Sequence, residues 1–93
     1  MILKSRILTG SDMFRANRAA HLAMLDTIGQ AAALAAAGGG EKAMARHVAR
    51  GKMAPRDRVA GLLDPGAPFL EIGATAAHGL YDGAAPCAGV IAG

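Results

Sequence analysis

Aromatic side chains are scarce: the 93 residues hold no tryptophan, one tyrosine (Tyr81) and two phenylalanines (Phe14 and Phe69). The 53% hydrophobic content is therefore carried largely by alanine, which contributes little burial per residue compared with leucine or phenylalanine. A chain this short already buries a small fraction of its surface, so the core it can build alone is thin. A single cysteine, Cys87, excludes an internal disulfide, argues against a cysteine-based zinc site and fits a reducing compartment. No apolar run approaches the roughly 18 residues of a membrane span. The stretch 31–37 is short, mostly alanine, and runs into three glycines. Residues 1–10 carry two cations but no apolar core or cleavage site of a secretory signal. A mitochondrial leader stays open, although Asp12 comes early for such acid-poor segments.

Cations stop at Arg58. Residues 41–58 carry six (Lys42, Arg46, Arg50, Lys52, Arg56, Arg58) against Glu41 and Asp57, whereas residues 59–93 have only Asp64, Glu71 and Asp82. A basic block followed by an acidic, apolar stretch is an asymmetry that asks for a partner or a packing reason.

Ser11 and Asp12 are helix-capping types, and a helix-favouring stretch follows to about residue 37. Gly38, Gly39 and Gly40 end it. A second helix starts at Glu41, with an acid in its first turn and Arg46, His47 and Arg50 in later turns, and Gly51 stops it. Pro55 suits the first turn of a third helix over 55–63, whose Val59, Leu62 and Leu63 are expected to face inward. Asp64-Pro65-Gly66 reads as a turn. Residues 69–72 then read as a short strand with Glu71 facing outward, 79–85 as loop, and 88–93 as a second strand, apolar on both faces. The chain stops inside that apolar run, and an unpaired strand must be covered or paired. The expectation is that its partners lie in sequence beyond Gly93.

From residue 38 onward the residues form an ordered string. Gly38-Gly39-Gly40-Glu41-Lys42-Ala43, Arg46-His47, Arg50-Gly51-Lys52 and Pro55-Arg56-Asp57-Arg58 come first. Leu62-Leu63-Asp64-Pro65-Gly66-Ala67-Pro68-Phe69-Leu70-Glu71, Leu80-Tyr81-Asp82 and Ala88-Gly89-Val90-Ile91-Ala92-Gly93 follow. In order and spacing this string resembles the opening of the carboxyltransferase (beta) subunits of biotin-dependent acyl-CoA carboxylases. The Asp-Pro-Gly-Ala-Pro-Phe-Leu-Glu and Leu-Tyr-Asp elements look most like the 3-methylcrotonyl-CoA branch, with propionyl- or geranyl-CoA carboxylase the nearest competitor. Residues 1–37 match only loosely, as a helical lead-in. Cys87 stands where a small residue such as Ser or Gly is expected, so its thiol is incidental.

The resemblance implies an α/β class: N-terminal helices plus the first strands of a crotonase-like carboxyltransferase domain, incomplete at residue 93. Residues 1–37 would be the lead-in and 38–93 the start of the CoA carboxyltransferase N-terminal domain. The parent subunit would move a carboxyl group from carboxybiotin, carried on an alpha subunit, to an acyl-CoA, and would assemble with other beta subunits. Its oxyanion-stabilising glycine-rich loops would lie beyond Gly93, so no catalytic residue is assigned in this chain, which is expected to be inactive and to bind no cofactor itself. A bacterial cytoplasm is the expected location, or the mitochondrial matrix in a eukaryote.

Lys42, Arg46 and Arg50 are four apart and share a helix face. Arg50 and Lys52 are the candidates for CoA phosphates; the favoured plain reading is a solvated or subunit-contacting face. A different class of function, a small basic helical module using residues 42–58 on nucleic acid, leaves the apolar C-terminal half unexplained and lacks stacking aromatics. Neither nucleic acid nor membrane is expected as a partner. The triple glycine lacks the Gly-Lys-Ser/Thr ending of a phosphate loop and follows a helix. His21, His47 and His78 are far apart with no ligand spacing, so no metal is expected. Pairing Cys87 with His78 as a nucleophile, or Asp64 with Glu71 as acid and base, finds no supporting group.

Overall fold

The computed structural model describes residues Met1–Gly93. Three α-helices follow one another: α1 at Asp12–Ala36, α2 at Glu41–Ala49 and α3 at Pro55–Leu62. A short 3-10 turn at Leu80–Gly83 is the only other regular element.

The start of α1 is built from side-chain capping. Ser11 takes an extended backbone (φ −76°, ψ 152°), and its Oγ accepts the Phe14 N–H at 3.1 Å while donating to the Leu8 carbonyl at 2.8 Å. One orphan donor of the first turn is thereby satisfied. Asp12, in that same turn, pairs with Arg15, and Arg15 also donates to the Gly10 carbonyl at 2.7 Å. The helix ends where the glycines begin: Gly38 and Gly40 sit at φ 68° and 87°, a region costly for residues with a Cβ. Pro55 occupies the first turn of α3, where its missing N–H costs nothing. Asp64-Pro65-Gly66-Ala67 forms a type II turn, with Gly66 at φ 75° and the Ala67 N–H donating to the Asp64 carbonyl at 2.9 Å.

After that turn the chain becomes a series of three-residue reversals. Ala76 bonds back to Gly73, His78 to Thr75, Leu80 to Ala77, Ala84 to Tyr81 and Ala88 to Ala85. Within it Tyr81 and Asp82 lie consecutively in the left-handed region, at φ 53° and 54°. The segments 69–72 and 88–93 meet at one antiparallel bridge, Ile72 with Ala92, where the Ile72 N–H reaches the Ala92 carbonyl at 2.7 Å. Gly93 lies so close to Phe69 and Leu70 that a Cβ there would be 2.6 Å from the Leu70 carbonyl oxygen.

The molecule is extended, 58 × 35 × 18 Å with a radius of gyration of 18.8 Å. A compact chain of this length would have a radius of about 12 Å. Three residues are buried, Ala35, Ala77 and Pro86, none of them large. Met44, Val59, Leu63 and Ile91 are half-buried. Leu62, expected to face inward with Val59 and Leu63, is 87% exposed. Its side of α3 turns to an open cleft that no side chain fills.

Candidate functional site

The three helix ends and the segment 87–91 surround that open cleft, of ≈ 620 Å³. The C-terminal end of α1 contributes Ala35, α2 contributes Met44 and His47, and α3 contributes Val59 and Leu62; Ile91 closes the far side. A smaller cleft of ≈ 300 Å³ lies beyond, against Leu63, Pro65 and Phe69, and shares Arg56, Val59 and Ile91 with the first. No Asp or Glu lines the larger cleft; its polar side chains are His47, Arg56 and Arg58, with the Cys87 thiol beside them.

His47 and Arg56 each have a local partner. The His47 ring Nε2 lies 2.8 Å from the Met53 carbonyl. A carbonyl only accepts, so Nε2 carries the proton and His47 closes the connection between α2 and α3. His47 is partly buried.

Arg56 and Glu71 form a two-pronged ion pair: Nη2 donates to Oε1 at 2.8 Å and Nη1 donates to Oε2. With side chains 34% and 20% exposed, the pair ties α3 to the residue before Ile72 and so holds segment 69–72 to the helix. Glu71, expected as the outward member of a strand, instead faces α3. The hydrogen bonds from Arg56 hold the Glu71 carboxyl below its ordinary value of 4.5 against a smaller opposing effect of desolvation. The same hydrogen bonding raises the Arg56 guanidinium above its already high value.

Because the Glu71 value is lowered on folding, the clasp is complete above about pH 4.5 and is lost as pH falls through the lowered value. Arg56 stays charged throughout this range. Followed by carboxyl carbon NMR, the Glu71 titration midpoint is expected below 4.5 in the native chain. In Arg56→Ala it should rise back to the ordinary value of 4.5. A midpoint that does not move on removing Arg56 would show the clasp absent in solution.

Arg50 caps the end of α2 and Lys52 follows Gly51. Both are exposed, neither makes an ion pair, and neither lines the cleft. Lys42 and Arg46 are likewise exposed and unpaired. His78 is exposed, no hydrogen bond joins it to Cys87, and Cys87 is half-buried in the cleft wall. No three His, Cys, Asp or Glu side chains cluster in a way that could hold a metal ion. No helix is long and apolar enough to cross a membrane. Arg56 and Arg58, read from sequence only as members of a basic block, are the cations that reach the cleft.

Comparison with known proteins gives the context for this scaffold. The chain is 49% identical over 73 residues, 78% of its own length, to the biotin-dependent 3-methylcrotonyl-coenzyme A carboxylase beta1 subunit of Mycobacterium tuberculosis. The chain belongs to the methylcrotonoyl-CoA carboxylase beta-subunit family. The mitochondrial methylcrotonoyl-CoA carboxylase beta chain of Arabidopsis thaliana is 38% identical over 92 residues, 99% of this chain. The probable mitochondrial beta chain of Drosophila melanogaster reaches 57% identity over 44 residues, 47% of this chain. This chain spans 14% of the length of the first of these relatives, 16% of the second and 8% of the third. No family model matches it. Relatives of this family thus occur in a bacterium and in mitochondria.

Proposed function

We propose that the chain is part of a beta subunit that moves a carboxyl group from carboxybiotin to an acyl-CoA, with 3-methylcrotonyl-CoA as substrate and leucine breakdown as its setting. The observation that carries this reading is 49% identity over 73 residues to a beta subunit of that printed activity. On this reading the stretch supplies scaffold. Enolate chemistry needs a preorganised set of N–H donors aimed at a developing oxyanion, and the one unpaired charged side chain of this cleft, Arg58, does not make such a set. Two of its polar groups are committed, Arg56 to Glu71 and His47 to Met53, which leaves Arg58 as the one charged side chain there without a partner. No step of the transfer is assigned to these residues.

The fold reading goes with it. Residues 1–37 act as a helical lead-in, and residues 38–93 open a crotonase-like α/β domain, with the Ile72–Ala92 bridge as its first sheet contact. Arg50 and Lys52, exposed and unpaired at the end of α2, are proposed to meet CoA phosphates. The subunit's partners are other beta subunits and a biotin-carrying alpha subunit, and not nucleic acid or a membrane. Its compartment is the bacterial cytoplasm or, in a eukaryote, the mitochondrial matrix.

A chimera tests this. The 73 matched residues of the Mycobacterium tuberculosis beta1 subunit are replaced by those of this chain, the alpha subunit is added, and carboxylation of 3-methylcrotonyl-CoA and propionyl-CoA is followed. Activity within about tenfold of the parent, with 3-methylcrotonyl-CoA preferred, is expected. In the chimera, Arg50→Ala with Lys52→Ala should raise KM for the acyl-CoA several-fold and leave kcat unchanged. An assembled but inactive chimera would overturn the reading.

A further inference from the structure

The C-terminal half presents a face that the chain itself does not cover. Leu62, Leu70, Ile72 and Val90 are 87%, 82%, 67% and 69% exposed. Leu62 and Val90 line the larger cleft and Ile91 lines both. Pairing has begun and stopped: Ile72 bonds to Ala92, while the backbone N–H groups of Leu70 and Ile91 have no backbone acceptor. Glu71, the one charged side chain in segment 69–72, is already neutralised by Arg56, and 88–93 carry no charged side chain. An incoming apolar strand would therefore meet open donors and no unpaired charged side chain, which are the conditions for strand addition.

We propose that this face is where the rest of a carboxylase beta subunit docks, by adding strand backbone to segments 69–72 and 90–92, and that it accepts that remainder even when supplied as a separate chain. The inference rests on the proposed function. The choice of occupant comes from length: more than four-fifths of each relative lies outside the stretch this chain matches. A second copy would bring only the same two short segments, which within one chain pair at a single bridge.

The test mixes the full 93-residue chain with the Mycobacterium tuberculosis beta1 subunit deleted for its 73 matched residues, together with the alpha subunit. Carboxylation of 3-methylcrotonyl-CoA should rise at least about tenfold over the deleted subunit alone and saturate with added chain. Leu70→Asp combined with Val90→Asp alters only exposed side chains of the free chain and should abolish the gain. No gain, or an equal gain with the double variant, would overturn the proposal. So would concentration-dependent dimers of the chain alone that Val90→Asp disperses, since the face would then take a second copy. If the covalent chimera works and the separate chain does not, this proposal falls while the functional reading stands; if the chimera is inactive, both fall.

Discussion

Heated by itself, the 93-residue chain is expected to lose its helical signal over a broad range, with no calorimetric peak. The expectation follows from what is buried: Ala35, Ala77 and Pro86. Cooperative unfolding requires that elements share a core, so that one cannot leave without exposing apolar surface on another. Here the large apolar residues of α1 are mostly in solvent, among them Met24, Leu25 and Ile28 at 64%, 60% and 58% exposure. The helices would therefore melt as nearly independent units, with α1, the longest at 25 residues, outlasting the short α2 and α3. A compact domain of this length would absorb about 65 kcal/mol at its midpoint. A sharp transition of that size in differential scanning calorimetry, from a monomer by sedimentation, would show that the chain packs more tightly than its extended shape indicates.

What was legible in the sequence is what local chemistry decides. Ser11, the glycines at 38–40, Gly51, Pro55 and Asp64-Pro65-Gly66 each act through their own backbone or a partner within a few residues. The boundaries they mark were found to within one or two residues. The family, too, was readable from the string between Gly38 and Gly93, because order and spacing are properties of the sequence itself. The contacts that shape the cleft were not readable. Arg56 and Glu71 are 15 residues apart, and nothing in either neighbourhood distinguishes a paired arginine from the other five cations of the basic block. Val59, Leu62 and Leu63 are close to one another on a short helix, and periodicity alone could not tell that Leu62 would look onto an unfilled cleft. The consecutive left-handed residues Tyr81 and Asp82 carry no glycine to announce them. Segments 69–72 and 88–93 have strand composition, but strand pairing depends on partners, and within this chain they find each other only at Ile72 and Ala92. Arg50 and Lys52 were nameable because charge is visible in sequence.

Replacing Gly38, Gly39 and Gly40 together by alanine should fuse α1 and α2 into one helix from Asp12 to Ala49, a gain of helix and not a loss. Two effects add. Gly38 and Gly40 hold φ of 68° and 87°, a region that costs an L-residue about 1–2 kcal/mol each, so alanine makes the present bend unfavourable. Alanine is also better than glycine in a helix by about 1 kcal/mol per residue, so it makes the straight alternative favourable. Little resists the change. The bend brings the Met44 methyl to 3.4 Å from where a Cβ at Gly38 would sit, and α2 buries no residue fully. Straightening would carry Met44 and His47 away from Val59 and Ile91 and open the cleft. With Cys87 changed to Ser and single cysteines placed at Met13 and Val48, spin labels on a continuous helix would stand about 52 Å apart, at 1.5 Å per residue. The native glycines should give a distinctly shorter separation, because the chain bends at residues 38–40. An unchanged distance and unchanged ellipticity at 222 nm in the triple alanine variant would mean that contacts across the cleft, and not the glycines, set the angle between the two helices.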